Sequence, residues 1–118
     1  MKYYQEIGTS TPCCIWECSE DQMLAATCFD STGRRMHSAL CSGLIFSNPA
    51  YKEIPAVEAQ QMILVAAETW LQVVRGKFRR LIKQQDIDRI KAFTEVVAAQ
   101  TTVHGLKDRM KDTVAQQR

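Results

Sequence analysis

The 118-residue sequence contains no long apolar run and no glycine-rich loop of the kind that binds phosphates. No window approaches the ~18 consecutive apolar residues of a membrane span. The first residues, MKYYQEIGTSTPCC, also lack the apolar stretch of a secretion signal. These absences predict a cytoplasmic protein that is neither secreted nor membrane-spanning.

Catalytic motifs are absent as well. There is no GxSxG elbow and no HExxH helix, and the two histidines, His37 and His104, fall in different predicted elements. His37 and Cys41 would lie ~13 Å apart along a strand, which is too far for a nucleophilic Cys–His pair, although they would be neighbours if the segment were helical. We therefore expect a protein that is not an enzyme, with no catalytic residue and no cofactor.

The composition is that of an ordinary folded chain. Hydrophobic residues make up 46% of the sequence, charged residues 24%, and the formal net charge is +2. The chain is therefore neither disordered by composition nor basic enough overall to indicate nucleic acid. Its length suits one domain, residues 1–118, with a core that needs no disulfide.

All five cysteines lie between residues 13 and 41. An odd number in a cytoplasmic chain disfavours a disulfide framework. Cys14 and Cys18, and again His37 and Cys41, are separated by three residues, and two such pairs could form a tetrahedral zinc site. A tight zinc knuckle normally has two intervening residues, so we expect reduced, mostly buried, metal-free thiols. A zinc-stabilised module remains a third hypothesis.

The first 47 residues have the pattern of an antiparallel meander. Asp30 and Gly33 match a type I turn followed by a bulge, which is a hairpin signal. Alternatively, Ser19 and Gln22 form a capping box that opens a short helix through Cys28. The predicted strands span 13–18, 22–29 and 34–46, with 2–7 as a possible fourth.

From Pro55 onward the sequence predicts two helices. Proline suits the first turn of a helix, and an apolar periodicity continues from there to about Gln84. Asp86 can cap a second helix, in which Ile87, Ile90, Phe93 and Val97 begin a new apolar stripe. The predicted fold is therefore α+β, with the meander in 1–47 and a helical hairpin in 55–116.

The first long helix has an apolar seam with heptad spacing. At ~45 Å this helix would be longer than its own sheet could cover. The seam therefore predicts self-association into a dimer. Its residues are Leu64, Leu71, Val74 and Phe78. Further surplus apolar surface is expected at Ile63, Trp70, Val73 and Phe93.

A basic patch follows the seam. It comprises Arg75, Lys77, Arg79, Arg80 and Lys83, with no acid among them. Such a patch can dock an acidic protein surface or hold nucleic-acid phosphates. We predict a small interaction protein, such as an adaptor, chaperone or inhibitor, that binds a protein partner. A nucleic-acid-binding regulator is the alternative.

Overall fold

The computed structural model describes residues 1–8, 15–36, 40–81 and 86–117. It has the predicted α+β architecture, an antiparallel sheet followed by a long helix pair. The elements are β1 (Lys2–Glu6), β2 (Ile15–Cys18), β3 (Thr27–Phe29), β4 (Arg35–Met36), α1 (Ser42–Phe46), β5 (Tyr51–Ile54), α2 (Ala56–Arg80) and α3 (Asp86–Gln116).

The sheet has five strands in the order β4-β3-β2-β1-β5, and every neighbouring pair is antiparallel. The possible fourth strand of the predicted meander is confirmed as β1, which lies between β2 and β5. Strand β5 is a fifth strand that the sequence pattern did not indicate. It has only four residues, and it exists because it pairs with β1, about fifty residues earlier in the chain.

The turn between β3 and β4 forms as its residues predict. The Asp30 carboxylate accepts hydrogen bonds from the backbone N–H of Thr32 at 2.8 Å and of Arg34 at 3.1 Å. Gly33 has a φ of +78°. A Cβ at this glycine would lie 2.9 Å from the carbonyl oxygen of Ile63 on α2. Glycine is therefore needed both for the conformation of the turn and for its contact with the helix.

Two of the predicted strands are too long. The segment 22–29 begins with a turn, in which the Asp21 carboxylate accepts a hydrogen bond from the Met23 N–H at 2.9 Å, and only its end is β3. The alternative helix through Cys28 is also wrong, because such side-chain bonds to the backbone favour turns over helix. The segment 34–46 ends in α1 and not in a strand. Residues 37–39 within it, and 13–14 of the first predicted strand, lie outside the described residues.

Both faces of the sheet are covered. One face packs Tyr3, Ile15, Phe29 and Ile54 against the first turns of α2. The opposite face carries a second cluster of Cys18, Ala26 and Ile45, which α1 and its flanking loops contribute to. Aromatic side chains from both the sheet and α1 border this second cluster: Tyr4, Trp16, Phe46 and Tyr51.

Helices α2 and α3 form the predicted hairpin. Helix α2 ends at Arg80, four residues before the predicted end, and residues 82–85 lie outside the described part of the chain. The two helices share a buried apolar seam of their own: Leu64, Ala67, Leu71, Val74, Val96, Ala99 and Val103.

The hairpin contacts the sheet through the first half of α2 and the second half of α3. Gly33 and Arg34 of the β3–β4 turn reach Ala67 and Trp70, and the Arg34 guanidinium lies 4.2 Å from the Trp70 ring centre. Leu106 of α3 packs against the cluster under the sheet. We call residues 71–80 and 86–102 the arm, because there the two helices pack on each other beyond these contacts. The molecule measures 54 Å along its longest axis.

Candidate functional site

A buried glutamate lies between the sheet and the hairpin. Glu17 alternates with Ile15 along β2, so both side chains point to the face that the hairpin covers. The Glu17 side chain is only 1% exposed. A carboxylate in this position requires charged or hydrogen-bonding partners, because an isolated buried charge is strongly unfavourable.

Three side chains supply those partners. The Tyr3 hydroxyl donates to Glu17 Oε2 at 2.7 Å. Arg35 Nη1 donates to Oε1 at 2.7 Å, and Arg109 Nη2 donates to Oε2 at 2.6 Å. These partners come from β1, β4 and α3, so we call the four residues the Glu17 cluster. Through Arg109, the cluster links the second half of α3 to the sheet.

The cluster holds defined protonation states. Burial alone would raise the pKa of Glu17, but the hydrogen bonds from Tyr3 and Arg109 and the charges of Arg109 and Arg35 outweigh it, so that the pKa is lowered. Burial raises the pKa of Tyr3, and its bond to Glu17 raises it further. Glu17 is therefore ionised and Tyr3 is neutral at pH 7. With both carboxylate oxygens accepting charged donors, Glu17 is suited to structure and not to proton transfer.

A pocket of about 500 Å³ adjoins the cluster, between the start of β1, the first turns of α2 and the last turns of α3. Tyr3 and Arg109 belong to both the cluster and the pocket wall. Gln60, Asp112 and Thr113 are among the other lining residues. The pocket lining contains a hydroxyl, an amide, a guanidinium and a carboxylate, which suit a hydrogen-bonding ligand better than a purely apolar one.

Sequence reasoning missed this site. The signal that could have found it is the stretch IWEC at 15–18, in which one acid stands among residues that are apolar on both faces of the strand. Such an acid must meet cations from elsewhere in the fold. No local spacing reveals that one of those cations is Arg109, because it lies 92 residues away.

The proposed zinc ligands fall partly outside the described residues. Cys14 and His37 are not described. Cys18 is fully buried, and burial, followed by the charge of Glu17, raises its pKa to about 11. Cys41 is half-buried and precedes Ser42, whose hydroxyl is hydrogen-bonded to Cys18. Over the ranges that the structure describes, no three His, Cys, Asp or Glu side chains come together as a metal-binding group.

The predicted basic patch lies on the last turns of α2. Arg75, Lys77, Arg79 and Arg80 are all exposed, and Lys83 lies outside the described residues. Three of these cations occupy the last helical turn, where positive charge interacts favourably with the helix dipole. They are available to a partner.

The predicted self-association seam lies inside the hairpin. Leu64, Leu71 and Val74 are buried, and Phe78 packs half-buried against the same cluster. The length of the seam predicts a second copy as its cover, because the sheet alone is too short to cover it. In the structure α3 covers it within one chain. Ile63, expected as surplus apolar surface, is also buried, against the sheet.

The exposed apolar surface of the hairpin lies chiefly on α3. Ile87, Ile90, Phe93 and Val97 are 65%, 64%, 55% and 43% exposed. The predicted stripe therefore exists but is largely exposed to solvent, apart from the contact of the Phe93 ring with Phe78. The positions of α3 that pack in the seam with α2 are Val96, Ala99 and Val103. Val73 of α2 is half exposed, as the sequence predicted.

Comparisons with protein families, with curated proteins and with solved structures gave no match. Among the described helices, none combines the length and the apolar character needed to cross a bilayer.

Proposed function

We propose that this protein is a small, non-enzymatic interaction protein of the adaptor, chaperone or inhibitor type, and that its arm binds an acidic segment of a protein partner. The observation that carries the proposal is the exposed stripe of Ile90, Phe93 and Val97 on α3. Solvent-exposed apolar side chains in a row are typical of protein-binding surfaces.

The stripe shares one side of the hairpin with part of the basic patch. Arg75 of α2 and Gln100 of α3 line the same groove between the helices. Residues one helical turn apart lie on the same face of a helix. Val97 therefore lies on the same face of α3 as Gln100, and Arg79 lies on the same face of α2 as Arg75. A partner on this side would meet apolar side chains flanked by cations.

That arrangement favours an amphipathic helix with an acidic rim. Positions 90, 93 and 97 follow the i, i+3, i+7 spacing of a helix face, which is the spacing that a helical partner contacts. Exposed Arg75 and Arg79 would steer acidic residues toward the surface. The two arginines and the apolar stripe thus favour the same kind of partner.

Nucleic acid fits the same surface less well. The aromatic side chain within the basic patch, Phe78, is half-buried, with its ring centre 5.9 Å from that of Phe93 and 5.8 Å from the Arg89 guanidinium. Its ring therefore already has partners within the hairpin, whereas base stacking requires an open aromatic face. The cations alone could still hold phosphates, which makes nucleic acid the alternative outcome.

Self-association, if it occurs, would use the exposed stripe. The seam of Leu64, Leu71 and Val74 is occupied by α3, so a second copy could reach it only by separating the helices. Pairing of two arms through Phe93 would instead leave each hairpin intact.

The test is binding of a fluorescent helical peptide with leucines at i, i+3 and i+7 and a glutamate rim, compared with a scrambled peptide and a single-stranded oligonucleotide. Phe93→Asp should abolish binding of the helical peptide and lower the melting temperature only slightly, through loss of the ring contact with Phe78. Val65→Asp, at a position 51% exposed on α2 outside the arm, is the matched control and should bind like wild type.

A second variant separates charge from apolar contact. Arg79→Gln with Arg80→Gln should slow association of the acidic peptide and reduce its salt dependence, because peripheral charges act mainly on the encounter rate. If the oligonucleotide binds instead, and the slope of log affinity against log salt falls by about two in this variant, the nucleic-acid alternative is supported. Sedimentation of Phe93→Asp beside wild type reports whether a second copy occupies the stripe. Unchanged binding and sedimentation in every variant would refute the proposal.

A further inference from the structure

A groove between α2 and the last turns of α3 is apolar at its base and basic at its rim, and we call it the terminal groove. Its volume is about 430 Å³. Its apolar lining comes from Leu64 of α2 and from Met110, Val114 and Ala115 of α3. Leu64 is only 6% exposed, and Met110 packs half-buried against the seam of the hairpin. The base of the groove is therefore recessed between the two helices.

Two lysines form the rim. Lys107 and Lys111 both line the groove and lie one turn apart on α3, so both side chains can reach the same ligand group. Both are exposed, and no ion pair in the described part of the chain joins either of them to an acid. Asp108 Oδ2 lies 3.5 Å from His104 Nε2 instead. An anionic group on a ligand would therefore supply the counter-charge for both ammonium groups.

The apolar part of the groove is short. On the other side of Lys107, the space between the helices is lined by polar side chains, among them Glu68 and His104. From Lys107 to Ala115 the helix rises by ~12 Å at ~1.5 Å per residue. An extended chain of roughly eight to ten carbon atoms has this length. A partner helix, with a diameter of about 10 Å, is too wide to reach a base as covered as Leu64.

We infer that the terminal groove binds a free fatty acid of roughly eight to ten carbon atoms. The carboxylate lies between Lys107 and Lys111, and the chain lies over Leu64 toward Val114. The volume of about 430 Å³ is within the range of small-molecule sites, roughly 300–1,000 Å³. A bilayer fits less well, because a flat surface would contact Val114, which is 37% exposed, but not the recessed Leu64. The inference goes beyond the proposed function, whose partner binds the arm.

The experiment is isothermal titration of the full chain with hexanoate, octanoate and decanoate, each at concentrations at which it is monomeric. Octanoate should bind with a dissociation constant of about 1 mM or lower. The affinity should change about two- to fourfold for each methylene group added or removed, as expected for a chain that is buried. Octanol, which lacks the charge, and octyltrimethylammonium, which has the opposite charge, should bind about tenfold more weakly or worse.

Two double variants test the rim. Lys107→Gln with Lys111→Gln should weaken octanoate binding about tenfold and leave octanol binding unchanged, because only the carboxylate loses its partners. Lys77→Gln with Lys91→Gln removes the same charge from exposed positions elsewhere on the hairpin. This matched control should bind octanoate like wild type.

Two single variants test the base and separate this inference from the proposed function. Val114→Asp places a charge beside the chain and should abolish octanoate binding, and its circular dichroism and melting curve verify the fold. Val97→Asp, on the exposed stripe of the arm, should lose the helical peptide and still bind octanoate like wild type. The two proposals can therefore fail independently of each other.

Three results of the titrations would overturn the inference. They are the absence of binding by all three fatty acids, equal binding of octanol and octanoate, and an octanoate affinity that neither Val114→Asp nor the variant of Lys107 and Lys111 changes. A fourth result would assign the groove to a lipid bilayer instead. It is cosedimentation of the protein with phosphatidylglycerol vesicles, lost in Val114→Asp, without any binding of octanoate.

Discussion

The sheet end of the molecule and the arm are built in different ways. At the sheet end, three layers pack together and even a carboxylate, Glu17, is buried with a full set of partners. In the arm, two helices share one narrow seam, and large apolar side chains such as Phe93 remain in solvent. The sheet end thus has the features of a stable scaffold, and the arm exposes the apolar side chains on which the proposed binding depends.

If the proposed function holds, stability and binding belong to separate parts of the chain. A side chain with buried neighbours on every side contributes to folding, whereas an exposed apolar side chain contributes little until something covers it. Substitutions at the sheet end should therefore change the free energy of unfolding, and those on the exposed side of the arm should change binding. The predictions below test this division.

The largest effect is expected at a phenylalanine of the sheet. Phe29→Ala should lower the free energy of unfolding by about 3–5 kcal/mol, because Phe29 is only 1% exposed and its removal leaves a cavity. The matched variant Phe93→Ala, at a position 55% exposed, should cost less than about 1 kcal/mol. Urea unfolding of both variants measures the difference, and similar losses would contradict the division.

The next effect concerns the buried charge. Glu17→Gln should cost roughly 2 kcal/mol at pH 7, because two guanidinium groups then lack an anionic partner. The folded-state pKa of Glu17 lies below its ordinary value of 4.5, so its stabilising contribution is complete above pH 4.5 and is lost as the pH falls through the lower folded-state value.

Wild type and Glu17→Gln should accordingly become more alike in stability below pH 4.5. Glu20→Gln, at an exposed position, serves as the control and should follow the wild-type curve closely. Thermal melts from pH 7 to pH 3 provide the measurement. If the stability difference between wild type and Glu17→Gln stays constant over that range, the ionised carboxylate of Glu17 is not its source.

The next comparison is between two glycines with positive φ, whose expected losses differ by about 1–2 kcal/mol. Gly33→Ala should destabilise the protein by about 2–3 kcal/mol, since the new Cβ combines backbone strain with a 2.9 Å approach to the Ile63 carbonyl oxygen. Gly8→Ala carries the strain without a neighbour within 4 Å and should cost only about 1 kcal/mol. Equal losses would mean that the contact between the turn and α2 is unimportant.

The smallest effect is a gain in stability. Gly105→Ala in α3 should stabilise the protein by about 0.5–1 kcal/mol, because alanine favours helix and its Cβ would meet nothing within 4 Å. Gly76→Ala in the arm should give a similar gain, since only the mobile end of Arg80 approaches within 4 Å. Denaturant midpoints measure both variants. A loss at either position would indicate a neighbour on that helix surface.

The features that local chemistry determines were predictable from the sequence. The Asp30–Gly33 turn, the start of α2 after Pro55 and the hairpin of two helices each depend on residues close together in the chain. Strand β5 was not predictable, because its four residues become a strand only by pairing with β1. Helix α1 was missed for a related reason, since five residues give too short a pattern to separate from a strand.

The candidate site was less predictable than the fold. The cations around Arg79 could be identified because they are neighbours in the sequence, and the structure leaves those it describes exposed. The Glu17 cluster could not be identified, because the three partners of Glu17 are 14, 18 and 92 residues away from it in the sequence. The apolar seam of α2 was correctly located. Its spacing is the same whether α3 or a second copy of the chain covers it, so the sequence alone could not distinguish the two.

The ion pair between Glu17 and Arg109 also has a consequence for the order in which the chain is completed during synthesis. Domains emerge from the ribosome with their amino-terminal part first. The strand that carries Glu17 is therefore available long before Arg109, and until then Tyr3 and Arg35 are the only members of its cluster that have been made. A nascent chain that stops short of α3 holds a carboxylate with only one of its two guanidinium partners, on a sheet face that α2 covers without Leu106. Such a chain should bind chaperones until its last helix docks.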